Sequence, residues 1–265
     1  MISWKGSYLT GESNTAMAPG GLSSLSHCDI SLLNERFAHS SPEEILRWAW
    51  ETCKPEVAAS SSFQTQSVPL LHMISRVCPQ MPVIFLDTGF HFSETLTFRD
   101  ALKDLYGLNV VIARPAIDKA QLFKKHGEGL YRQDPNLCCY IHKVEPMQRA
   151  VSGLWAWISG IRRDQTAHRK QLRVLERQPT GLLKIHPLLN RTKKELWEYI
   201  EEHKLPAHPL FSKGYLSVGC APCTRPVFTG EDERAGRWAG TEKTECGLHT
   251  DLMKSEEEQS AKSTE

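Results

Sequence analysis

Short apolar runs alternating with helical periods dominate the middle of the chain. Residues 56–60, 82–86, 109–113, 154–159 and 182–186 are strand-length runs of Val, Ile, Leu, Ala and aromatic residues. Helical spacing fills the gaps between the first three, at 68–77 and 94–105. This alternation predicts an α/β fold: a mostly parallel sheet covered by helices on both faces, with ligands at the carboxyl ends of its strands. Two helical patterns precede the sheet. The second opens on Ser41-Pro42-Glu43-Glu44, a capping box with proline at the first helical position, and runs through Ile45, Leu46, Trp48 and Trp50. Thr192-Lys193-Lys194-Glu195 is another such box, opening a helix through Leu196, Trp197 and Ile200.

The patterns fade beyond Leu210 into Gly, Pro, Cys and charge, which predicts an irregular C-terminal extension. Residues 1–25 mix Gly, Ser, Pro and Thr without periodicity and read as a loose arm, and 253–265 reads as a polar, disordered tail. No internal repeat is present. The reading is one α/β domain over residues 26–230, followed by a segment over 231–252.

Composition narrows the function classes. A chain of 265 residues with 40% apolar content buries roughly 70–75% of its unfolded surface and needs no disulfide staples. Its 32 Lys and Arg against 31 Asp and Glu leave a net charge of +1, so no overall field draws it to nucleic acid or membrane. Residues 1–20 lack the apolar stretch of a secretory signal, and no run approaches the 18 or so apolar residues of a membrane span. A cytoplasmic location is expected, with the eight cysteines as thiols, some of them ligands or nucleophiles.

Three turns follow predicted strands. Ser60-Ser61-Ser62-Phe63-Gln64-Thr65-Gln66-Ser67 offers backbone N–H groups and hydroxyls before a helix, a setting for phosphate or sulfate, or else an ordinary capping turn. Leu86-Asp87-Thr88-Gly89 suits ribose or base recognition, or an Asx turn. Gly160-Ile161-Arg162-Arg163-Asp164-Gln165, with His168, Arg169 and Lys170 behind it, presents guanidinium forks to an oxyanion. At equivalent strand ends the three make one nucleotide pocket.

Cysteines supply the sharper signals. Cys138-Cys139 and Cys220-Ala221-Pro222-Cys223 form two close pairs, and spacing leaves a zinc site and an iron–sulfur cluster equally open. Glu245-Cys246-Gly247-Leu248-His249 holds a lone Cys in a Gly-containing segment, either a nucleophile or an incidental thiol, with Arg234 and Arg237 upstream. Cys28, Cys53 and Cys78 lie in or beside helical patterns and read as small core residues.

Together SSSFQTQ, LDTGFHFSET, CCYIHKVEPM, GIRRDQT, HPLFSKGYLSVGCAPCTRP, EDERAGRW and KTECGLH resemble the assimilatory adenylylsulfate and phosphoadenylylsulfate reductases, from about residue 55 to His249. The resemblance implies an adenine-nucleotide α-hydrolase-like fold related to the ATP pyrophosphatases. It implies that Cys246, on a mobile segment, attacks the sulfur of a sulfonucleotide, and that a thioredoxin- or glutaredoxin-like thiol then releases sulfite, as in cysteine biosynthesis. It further implies a [4Fe–4S] cluster on Cys138, Cys139, Cys220 and Cys223, with Lys143 between cluster and substrate. Ser60, Ser62, Leu86, Thr88, Gly160, Arg162 and Arg163 fall in its nucleotide-contacting motifs, and Arg234, Arg237 and His249 in those near the sulfate. A homo-oligomer is expected. The four cysteines favour adenylylsulfate, whereas SSSFQTQ is closer to the loop of members that use the 3′-phosphorylated nucleotide. Two rival readings are an ATP pyrophosphatase, whose usual Ser-Gly-Gly-x-Asp-Ser loop is missing, and a zinc-stabilised RNA-binding module using 162–170.

Overall fold

The computed structural model describes residues 27–250, so the arm read at 1–25 and the tail at 253–265 lie outside the described residues. Helices α1 (His27–Phe37) and α2 (Pro42–Cys53) come first. The box at the start of α2 forms as read: Glu44 N–H donates to Ser41 Oγ at 3.2 Å, and Ser41 N–H donates to Glu44 Oε2 at 2.7 Å. Then follow β1 (Val57–Ser60), α3 (Val68–Val77), β2 (Pro82–Leu86), α4 (Ser93–Tyr106) and β3 (Asn109–Ala113). Short helices α5 (Lys119–His126), α6 (Leu130–Gln133) and α7 (Pro135–Cys139) lead through a π-helical turn, Tyr140–Val144, into α8 (Glu145–Val151). The domain continues with β4 (Ala156–Ser159), β5 (Leu175–Arg177), β6 (Leu183–Ile185) and α9 (Lys193–Glu202), the last capped by the Thr192 box.

The six strands lie in the order β3-β2-β1-β4-β6-β5, all parallel except β5, which runs antiparallel to β6. The five expected runs all become strands, trimmed at some ends. Strand β5 was not foreseen, because three residues at a sheet edge carry too little periodicity to register. Its edge is met by α1: Asn34 Nδ2 donates to the Leu175 carbonyl at 3.0 Å, and Leu175 N–H donates to Asn34 Oδ1 at 2.9 Å.

Strands β1 and β4 are neighbours, yet their outgoing connections leave in opposite directions, toward β2 and toward β6. A crevice must open at their carboxyl ends, where the chain diverges. The main core packs on one face of the sheet, from Ile45, Leu71, Val83, Phe85, Ile158 and Ile185 among others. The other face packs Ala58, Ile84 and Trp157 against Val144 and Met147. Cys53 and Cys78 are buried as read, and burial pushes both thiols up to about 12. Cys28 departs from the reading. It is exposed, on the solvent side of a helix whose inward positions Ile30 and Phe37 already fill the contact.

Beyond α9 the described chain contains single helical turns and one isolated bridge, Thr224 to Arg237, as expected of an irregular extension. No helix among the described residues is long and apolar enough to cross a membrane.

Candidate active site

The crevice between β1 and β4 is a cavity of about 180 Å³. Its floor comes from the three strand-end turns. After β1, Phe63 adopts φ 53° and tucks its ring edge-on against Phe85 at 5.6 Å, which turns the loop so that Ser60, Ser61 and Ser62 line the cavity. After β2, Asp87 is spent on the turn itself, its Oδ1 accepting from Gly89 N–H at 3.1 Å, while Leu86 and Thr88 face the cavity. His91 closes the turn by donating from Nε2 to the Leu86 carbonyl at 2.8 Å. After β4, Gly160 stands where a Cβ would come within 3.1 Å of Leu70 Cδ2, and it too lines the cavity.

The arginines of this third turn divide in a way the sequence does not reveal. Arg162 and Arg163 are absent from the cavity wall. Arg162, 1% exposed, is a structural hub: Nε donates to Asp164 Oδ1 at 3.0 Å, Nη1 to Gln66 Oε1 at 2.6 Å, and Nη2 lies 3.6 Å from Glu233. Arg163 points outward to Asn190 Oδ1. Arg169, which stands behind this turn in the sequence, is the arginine of this stretch that lines the cavity.

The wall opposite is built from the π-helical turn and the extension. Lys143, Arg234, Arg237, Cys246, Leu248 and His249 all line the same cavity. Arg237 fits into space left by Gly219, makes one contact from Nη1 to the Val218 carbonyl at 3.3 Å, and packs its guanidinium 4.5 Å from the Trp238 ring centroid. Its buried Nε has no partner among the described residues, so a donor is available for an anion. Burial lowers Arg234 to about 10, with Arg169 and Arg237 adding to the effect and Glu245 opposing it.

Glu245 and His249 flank Cys246. Burial alone would raise the Glu245 carboxyl, but Arg169 and Arg234 hold it below the usual value. His249 lies flat on Trp157, centroids 5.4 Å apart and planes 8° apart, and burial and nearby cations push its pKa well down. Behind it, Ser159 Oγ and His186 Nδ1 share a hydrogen bond of 2.8 Å.

A second, tight cavity joins this one at Lys143. Cys138, Cys139, Cys220 and Cys223 line it together with Phe90, Tyr131, Pro135 and Pro222. Asp134 caps α7, accepting at Oδ1 from Asn136 and Leu137 N–H at 3.0 and 2.9 Å, and so fixes the first pair. Ala221 N–H donates to the Phe90 carbonyl at 2.7 Å and anchors the second pair. Burial first, then the neighbouring thiols, push Cys138 up to about 12 and Cys223 up to about 11. Burial disfavours the charged form of Lys143, yet Cys220, Cys139 and Cys246 together raise its pKa. The lysine therefore senses both the thiol quartet and the isolated cysteine. Among the described residues no three His, Cys, Asp or Glu side chains are grouped to hold a single metal ion, whereas a tetrahedral zinc would draw four sulfurs to about 2.3 Å from one centre. The four thiols are undisulfided and share this pocket with Lys143.

The phosphoadenosine phosphosulfate reductase domain model matches residues 56–226. The adenosine 5′-phosphosulfate reductase of Lysinibacillus sphaericus is 42% identical over 208 residues, covering 78% of this chain and 89% of that protein. The protein of the same name from Streptomyces coelicolor is 43% identical over 207 residues, 78% of this chain and 87% of that protein. The crystal structure of phosphoadenylyl-sulfate reductase from Candida auris, a phosphate complex, superposes with a TM-score of 0.66 at 33% identity, over 75% of this chain and 97% of that one.

Proposed function

This chain belongs to the phosphoadenosine phosphosulfate reductase domain family, and from that membership we propose that it reduces adenylylsulfate to sulfite and AMP at the expense of a thioredoxin-type dithiol. The observation that carries the reading is the meeting of Cys246 with Lys143, Arg234 and Arg237 on one wall of a cavity whose other wall is three strand-end turns. Hydroxyls and backbone groups of 60–62 and 86–88 suit ribose and phosphate, and the cationic wall suits the sulfonyl oxygens.

In the first step the Cys246 thiolate attacks the sulfur of the bound nucleotide. The S–O bond to the phosphate breaks, AMP leaves with that electron pair, and the enzyme carries an S-sulfonate. Arg234 and Arg237 spread the negative charge on the sulfonyl oxygens, which aligns sulfur with the nucleophile. In the second step a thiolate of the reductant attacks Cys246 Sγ, sulfite departs with the S–S bonding pair, and a mixed disulfide forms. The reductant's second thiol resolves it and restores Cys246. Cys138, Cys139, Cys220 and Cys223 would hold a [4Fe–4S] cluster, which when bound supplies a local electrostatic field rather than electrons. Lys143 lines both the pocket of that quartet and the cavity that holds Cys246, so its ammonium can pair with an anionic group of the nucleotide. The reading assigns the reaction to the cytoplasm, in keeping with eight free cysteines.

The 3′-phosphorylated nucleotide is the second substrate candidate, favoured by SSSFQTQ and by the similarity to the Candida auris enzyme. The test is intact mass after anaerobic incubation with each nucleotide and no thiol. One sulfonate on Cys246 is expected, formed faster with adenylylsulfate. No adduct with either nucleotide, in protein whose metal content is established, would overturn the mechanism. Faster reaction of the 3′-phosphorylated form would reverse the substrate assignment.

A further inference from the structure

Residues 241–250 contain no helix and no strand, yet the segment is folded against the cavity. Arg234 Nη2 donates to the Thr244 carbonyl at 3.0 Å, His168 Nε2 to the His249 carbonyl at 3.3 Å, and Lys243 Nζ bonds Asn136 Oδ1, but the two side-chain grips of interest stand one on each side of Cys246. On the near side, the buried Glu245 carboxylate takes a bidentate pair from Arg169, Nε to Oε1 at 2.7 Å and Nη2 to Oε2 at 2.8 Å, and Thr166 Oγ1 donates a third bond at 2.9 Å. On the far side, the His249 ring is stacked on Trp157. That indole does not move freely: it is fully buried on β4, and its Nε1 donates to Ser60 Oγ at 2.8 Å. One grip comes from the stretch that follows the third turn and the other from β4 itself, whose Trp157 is tied to Ser60 of the first turn, so the floor and the nucleophile share one frame.

We propose that Glu245 and Trp157 are positioning residues: they form a two-point latch that sets how often Cys246 faces the nucleotide, and they take no part in either bond change. The inference rests on the reductase reading above and adds a division of labour to it. Attack on sulfur needs the thiolate held in line, which a restrained strap supplies. Reduction needs the same cysteine delivered to another protein's thiol, which requires the strap to leave. A latch made from one charge-assisted fork and one ring stack, with no main-chain ladder, serves both demands. The latch is closed in the first step and open in the second.

Glu245→Gln tests it, because the change removes the charge of the fork while keeping the shape. Three quantities are measured on the full chain: the single-turnover rate of Cys246 sulfonation, the affinity for AMP, and the rate at which dithiothreitol frees sulfite from pre-sulfonated enzyme. The latch requires sulfonation to slow by about tenfold or more, with AMP affinity and sulfite release unchanged or release faster. Unchanged sulfonation overturns it. Parallel losses in sulfonation and AMP affinity also overturn it, because Glu245 would then act through ligand binding. Amide exchange in 241–250, read without any nucleotide, gives an independent decision: Glu245→Gln must raise exchange there and leave β1 and β4 protected. Equal exchange in both proteins rejects the latch. If wild-type enzyme forms no adduct, the reductase reading fails, and the exchange result still decides whether the strap is latched.

Discussion

Gly219 leaves the space that the guanidinium of Arg237 occupies: a Cβ at residue 219 would lie 2.3 Å from Nη2 and 2.4 Å from Cζ. Such a distance is far inside van der Waals contact, so the two residues are fitted as a pair.

Gly219→Ala must therefore displace Arg237 from the cavity wall while leaving the strand-end turns in place. We expect kcat/KM to fall on the order of 10²-fold, as for a misplacement of about 1 Å in an aligned site. AMP affinity should change little, because the floor is untouched. Steady-state kinetics alongside AMP titration checks this, and a wild-type kcat/KM would show that Arg237 is not a sulfonyl contact.

The cysteine quartet makes a prediction about metal content. Cys220 Sγ lies 3.4 Å from Thr88 Oγ1, so this ligand also touches the second turn of the floor. Cys220→Ala is expected to abolish bound iron and acid-labile sulfide after anaerobic reconstitution, and to lower activity along with them. Elemental analysis decides the matter. Wild-type protein holding one zinc and no sulfide would contradict the cluster assignment.

Arg162 and Arg163 are neighbours in sequence and should differ sharply in stability. Arg162→Met removes a buried cation from Gln66, Asp164 and Glu233, of which Glu233 keeps Lys193, an expected loss of about 1–3 kcal/mol. Arg163→Ala, on an exposed side chain, should stay within about 0.5 kcal/mol. Urea unfolding of both variants measures the difference, and similar midpoints would deny Arg162 its role as a hub.

His208 sets part of the acid limit. Leu210 N–H donates to its Nδ1 at 3.2 Å, so the ring is neutral and Nε2–H donates to Thr95 Oγ1 at 3.0 Å. Burial lowers its pKa from 6.5 to about 4, with Glu94 pulling weakly upward. Between those values the unfolded chain binds a proton that the folded chain refuses. The stabilisation is therefore complete above pH 6.5 and is lost as pH falls toward 4, on the order of 3 kcal/mol in all. Burial depresses His91, His186 and His249 in the same sense. Urea midpoints at several pH values should fall steeply in wild type and less so in His208→Gln. Equal slopes would remove His208 from the account.

Much of this was legible in the sequence because the signals are local. Capping boxes at Ser41 and Thr192 need four residues each, and parallel strands read as apolar runs. The crevice followed from strand–helix alternation, and ten of the candidate lining residues do meet there: Ser60, Ser62, Leu86, Thr88, Lys143, Gly160, Arg234, Arg237, Cys246 and His249. What escaped depends on distant partners. Which arginine of 162–169 turns inward is decided by Gln66, Glu233 and Glu245, residues that arrive from elsewhere in the chain. Trp157 looked like one more apolar strand residue, and nothing local announces that a histidine 92 positions later will lie on its face.

The contact between Asn34 and Leu175 reaches beyond the monomer. A carboxamide presents one donor and one acceptor with nearly the spacing of a peptide group, and here it occupies both outward main-chain groups of Leu175. The sheet border at β5 is thereby sealed by a side chain acting as a counterfeit strand. No extended peptide finds a free template at that residue, which shortens the stretch of this border open to pairing with another strand.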